Sequence, residues 1–158
     1  MTSSPRSART SECALTASAA RHDAPCVVIR AVVVADVRGD AARCAPAECG
    51  GVLGMNSQGE VAVAVPIARD GGHNDAFVFP PDAVAAAEKA IVASGLRRCG
   101  TYHSHPRSAP VPSEADRLVI RSDELMLIVG ASGGCGAIRL WRLSRCRRFM
   151  NEVEWKQV

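Results

Sequence analysis

An α+β domain, α/β-like, with a central mixed and curved β-sheet flanked by helices is the fold class that this chain predicts, and three observations lead to it. The chain has 158 residues, 47% of them hydrophobic, which suffices for one domain with its own core. Stretches with helical periodicity are interspersed with short β-rich runs linked mostly by hairpin-type turns, the pattern of a mixed sheet with helices packed on it. Neither an internal repeat nor a domain boundary interrupts the pattern after residue 25.

Residues 1–25, "MTSSPRSARTSECALTASAARHDAP", are rich in Ser, Ala and Arg. They lack the continuous apolar core of a signal peptide and read as a flexible arm, although a transit peptide has a similar composition. The domain is expected over 26–158. Residues 26–43 are open to two readings. Ile29, Val32, Val33 and Val37 follow a helical series, whereas the β-branched content favours a strand. "CGGVLGM" and "EVAVAVPIA", separated by "NSQG", read as a hairpin of two buried strands around a Gly-containing turn. "ARDGGHND" is a loop and "AFVF" a short strand. After Pro80 and Pro81, Asp82 is placed to cap a helix reaching about Ser94, with Val84, Ala87, Ile91 and Val92 on one face and Gly95 beyond its end. A strand then runs into "TYHSH". A proline-rich loop, a helix opening at Ser113, the strand "LMLIVG", a Gly-rich turn and two more strand-like segments ending near Val153 complete the chain.

Composition removes several function classes. A net charge of +3, with no long block of one sign, gives no footprint for a nucleic-acid partner. The longest apolar run, "CVVIRAVVVADV", is broken by Arg30 and falls short of the roughly 20 residues needed to span a bilayer, so no membrane role is expected. Seven cysteines, an odd number without a CxxC pair, read as reduced thiols in a cytoplasmic protein.

The chemistry concentrates in "TYHSHPRSAPVPSEAD", from Thr101 to Asp116. On a strand, His103 and His105 point to one face and Ser104 to the other. Pro106 ends that strand, and Pro110 and Pro112 restrict the loop returning the chain toward Asp116. Two imidazoles and a carboxylate on the first turn of the next helix would leave the fourth tetrahedral position of a zinc ion open, as in catalytic zinc sites. Taken singly, the same residues have plainer readings. Ser113-x-x-Asp116 resembles a helix capping box, and alternate histidines also occur as a polar strand face.

The whole pattern, His103-x-His105-Pro106, six residues, then Ser113-x-x-Asp116, with Glu48 upstream in "PAECGGVLGM", resembles that of the JAMM (MPN-plus) metalloproteases. The resemblance covers roughly residues 26–155. It implies an MPN/JAB, cytidine deaminase-like fold, one Zn2+ per chain on His103, His105 and Asp116, and Glu48 as general base for a zinc-activated water. Ser113 takes the family's hydroxyl that helps stabilise the oxyanion. The doubled glycine after Cys49 is a small variation near Glu48. His73 reads as a solvated loop residue, Cys49 as core, and Arg139, Arg142, Arg145, Arg147 and Arg148 as a solvated face.

For a compact member of this family the resemblance implies a prokaryotic type of enzyme. Its substrate would be a ubiquitin-like or sulfur-carrier protein ending in Gly-Gly, cut at the amide after that tail. A zinc hydrolase of small amide conjugates shares the same ligand set, and a non-catalytic MPN scaffold typically lacks it. The oligomeric state is not legible from the sequence.

Overall fold

A computed structural model describes residues 26–68, 78–131, 137–144 and 149–158. The expected arm at 1–25, His73, the Gly-rich turn at 132–136, and Arg145, Arg147 and Arg148 lie outside the described residues. Strands β1 (Val27–Ile29), β2 (Gly50–Met55), β3 (Glu60–Ile67), β4 (Arg97–His105), β5 (Leu125–Gly130), β6 (Ala137–Leu143), β7 (Met150–Glu152) and β8 (Trp155–Gln157) form one curled mixed sheet. Its order is β7-β6-β5-β4-β2-β3-β1-β8. The pairs β1 with β3, β1 with β8 and β4 with β5 are parallel, and the others are antiparallel.

Helix α1 (Ala31–Cys44) packs on one face of the sheet, over Leu53, Val61, Tyr102, Leu127 and Leu140. Helix α2 (Pro81–Ala93) covers part of the opposite face, where Ala87 and Ile91 meet Val52 and Ile67. The short helix α3 (Glu114–Val119) follows the proline-rich loop. The ambiguous stretch 26–43 therefore divides. Its first residues pair as a three-residue strand, and the run from Ala31 is helical, burying Val33, Val34 and Val37 while Val32 is 55% exposed. The β-branched residues stay helical because tertiary burial outweighs propensity differences of less than about 0.7 kcal/mol each.

The helix after the proline pair starts two residues earlier than expected. Pro80 occupies the N-cap position without a side-chain cap, Pro81 is the first helical residue, and Asp82 lies in the first turn. Proline at that position sacrifices no hydrogen bond, and the Asp82 charge favours the helix N-terminus from inside the helix instead of capping it. Val92, expected on the buried face, is 67% exposed. Gly95 ends the helix at φ 72°, the left-handed conformation that glycine adopts without strain. Of "AFVF", Val78 and Phe79 are described and are not in a strand; Phe79 packs against the cluster under α2. The terminal strand β8, parallel to β1, lies beyond the last strand expected near Val153.

Candidate metal centre and active site

The site forms where β4 ends. His103 and His105 are buried on the sheet face away from α1, and their Nε2 atoms lie 3.0 Å apart. Asp116, at the third residue of α3, brings Oδ1 within 3.3 Å of His103 Nε2 and Oδ2 within 3.6 Å of His105 Nε2. A tetrahedral zinc with ligands at 2.0–2.1 Å spaces its donors about 3.4 Å apart. The three observed separations bracket that value, and two imidazole nitrogens with one carboxylate are an N/O donor set that zinc accepts.

Local structure holds each donor. The Nδ1–H of His105 donates to the Ala109 carbonyl at 3.0 Å, which turns Nε2 and its lone pair toward the other donors. Asp116 closes a reciprocal capping box: its backbone N–H donates to Ser113 Oγ at 3.2 Å, and the Ser113 N–H donates to Asp116 Oδ2 at 2.6 Å. The plainer reading of Ser113-x-x-Asp116 thus holds together with the convergence on the histidines, since one carboxylate does both. Burial alone would raise the Asp116 pKa, but hydrogen bonds from His103, His105 and Ser113 outweigh it and hold the carboxyl well below the usual carboxylate range. The reciprocal effect raises the pKa of His105, mainly through Asp116 and against the cost of burial.

The proline loop is clamped as well as stiff. Trp141 Nε1–H donates to the Pro110 carbonyl at 2.9 Å and Ala131 N–H to the Ser108 carbonyl at 3.0 Å. A Cβ on Gly130 would fall 2.4 Å from Pro110 Cδ, so glycine there permits the loop to close on β5. Trp141 and Gly130 are supports that sequence reasoning missed, because they reach the loop from strands distant in the chain.

Glu48 arrives from the other side. Antiparallel pairing of β2 with β4 sets Gly50 opposite His103. Continued outward, the register brings Cys49 to Ser104, whose Oγ accepts from the Cys49 N–H and whose N–H donates to the Cys49 carbonyl, both at 2.9 Å. The next residue, half-buried Glu48, shares with His105 and Ser108 the lining of a small cleft of about 70 Å³. Ser104, pointing away from the histidines as expected, is the residue that fixes this register and was not singled out. Cys49 is a core residue: burial pushes its thiol up to about 12, which makes it a poor nucleophile.

A family model described as prokaryotic homologs of the JAB domain matches residues 30–144, most of the chain. The chain belongs to this family. It is 36% identical over 87 residues to the desampylase of Haloferax volcanii, an alignment covering 54% of this chain and 63% of that protein. This chain therefore spans less than two thirds of that relative's length. Among solved structures, a protein from Desulfitobacterium hafniense superposes with a TM-score of 0.72 at 19% identity, covering 84% of this chain and 92% of that one. A chain solved as JAMM, a metalloprotease-like zinc site in the proteasome and signalosome, superposes with a TM-score of 0.53 at 18% identity, covering 85% and 99%. These likenesses establish the expected MPN/JAB fold.

Proposed function

We propose that this protein is a cytoplasmic zinc-dependent isopeptidase that hydrolyses the amide bond after the C-terminal Gly-Gly of a ubiquitin-like or sulfur-carrier protein. The observation that carries the reading is the convergence of three zinc-type donors beside the carboxylate-bearing end of β2. His103 Nε2, His105 Nε2 and Asp116 would hold the ion, with Glu48 outside its ligand set. Bound there, zinc supplies a Lewis acid and brings water into the acidity range of a nucleophile near neutral pH.

The remaining chemistry belongs to the chain. Glu48 accepts the proton that the attacking water loses and returns it to the departing amine, so no acyl-enzyme forms. Ser113 Oγ accepts from Asp116 N–H, which leaves its own proton free to donate to the oxyanion developing on the scissile carbonyl. A groove of about 590 Å³ lined by Phe79, Val84, Thr101, Ala115 and Val119 approaches the same face of β4. It offers apolar surface for a folded carrier, while a glycine tail, lacking Cβ atoms, passes where strand backbones close in. The relative from Haloferax, named a desampylase, supports a carrier-protein substrate. Four described cysteines, Cys26, Cys44, Cys49 and Cys99, are free thiols, which suits a reducing compartment.

The test is a panel of Gly-Gly-ending carriers with short C-terminal extensions, compared by mass spectrometry with free peptides of the same tails. Cleavage directly after Gly-Gly, at least tenfold faster on folded carriers, is the expected result. Equal cleavage of free peptides or small amides would replace the carrier reading with that of a small-amide hydrolase.

A further inference from the structure

On the α1 face of the sheet, behind the histidines, a second group of ligand-type side chains comes together. Asp40 and Cys44 lie one turn apart on α1, and Cys49 meets them at the entry to β2. One donor atom from each lies within 4.8 Å of the others, and Cys44 Sγ is 4.0 Å from Asp40 Oδ1. We propose that Asp40, Cys44 and Cys49 form a second metal site, which binds a thiolate-preferring divalent cation of the zinc type.

Donor chemistry and surroundings both favour a cation there. Zinc with sulfur ligands at about 2.3 Å and a carboxylate at about 2.0–2.2 Å spaces its donors about 3.5–3.8 Å apart. The trio reaches that spacing through adjustments of about 1 Å. Asp40 is buried and already oriented: Oδ2 accepts from Tyr102 Oη–H at 2.8 Å, and Oδ1 faces Arg43 at 3.1 Å. Donors such as Tyr102 and Arg43, bonded to a carboxylate that itself ligates, are the usual outer support of a metal site. Buried Cys49 sits in the apolar cluster with Val33, Val37 and Leu53, where burial disfavours a thiolate, the Ser104 side chain favours it through a hydrogen bond, and a bound cation would favour it further. Half-buried Cys44 leaves an entry path.

Occupancy would tie the end of α1 to the residue that follows Glu48. The step balances as two thiols releasing two protons while two sulfur–metal bonds form. The site differs from the histidine site in its sulfur ligands, and that difference makes it measurable without any activity assay.

Cobalt(II) titrated into the reduced, metal-stripped full-length protein should produce intense near-ultraviolet thiolate-to-cobalt absorption, which an N/O site does not generate. Cys44→Ser should abolish most of this absorption, and Cys49→Ala the same, whereas Cys26→Ser should retain it. Because Cys44 is half-buried, its variant is the one expected to fold normally; circular dichroism checks this. Absence of thiolate absorption in the wild-type protein, or undiminished absorption in folded Cys44→Ser, would overturn the proposal and leave Asp40, Cys44 and Cys49 as a metal-free hydrogen-bonded cluster. Neither result bears on the hydrolytic reading of the histidine site.

Discussion

Glu48 stands two residues before β2, half-buried beside His105 and outside the three converging donors. A base in that position differs from a ligand in a measurable way. Glu48→Gln should retain wild-type zinc content while kcat falls by about two to four orders of magnitude, the usual worth of a positioned acid/base; metal analysis beside single-turnover assays reads both. His103→Ala should lose zinc as well as activity, and loss of zinc from Glu48→Gln would make Glu48 a ligand. The convergence of His103, His105 and Asp116 was legible in the sequence because the three are close in the chain and each obeys a local rule: strand alternation for the pair, helix capping for the third. The anchoring of Glu48 was not, because it depends on Ser104 bonding Cys49 across 55 residues. A serine between two histidines carries no local sign of that bond.

At the scale of elements, the second glycine of the pair after Cys49 has a steric cause. A Cβ on Gly51 would lie 2.2 Å from the Val65 carbonyl oxygen and 2.5 Å from Tyr102 Cε1. Gly51→Ala should therefore destabilise the fold by about 1–3 kcal/mol, the usual cost of overpacking. Urea unfolding should show a lower midpoint with an unchanged m-value, and an unchanged midpoint would refute this steric account. The hairpin of β2 and β3 and the strand β5 were legible from their apolar runs and bounding turn residues. The strands β1 and β8, three residues each, were not. Their pairing with each other brings together the two ends of the described chain, and three residues are too few to show a period. Helix α1 was ambiguous for the converse reason: its valines suit either structure, and the sheet face beneath them decides.

For the molecule as a whole, side-chain alternation along β4 gives each face of the sheet its own chemistry. The face beside α3 carries Thr101, His103 and His105, and the face beneath α1 carries Tyr102 and Ser104 on the same strand. The fold class was readable from composition and the mixture of periods. The order of strands was not, because β4 lies between β2 and β5 through pairings set by long-range burial. Among the described residues, no helix is long and apolar enough to cross a membrane. The central claim, that hydrolysis at this site depends on zinc held by His103, His105 and Asp116, is tested most directly by measuring turnover of an extended Gly-Gly carrier before chelation, after chelation and after zinc is restored. The account predicts that chelation abolishes turnover and that added zinc recovers it in the wild-type chain but not in His103→Ala; full turnover by protein shown to be metal-free would contradict it.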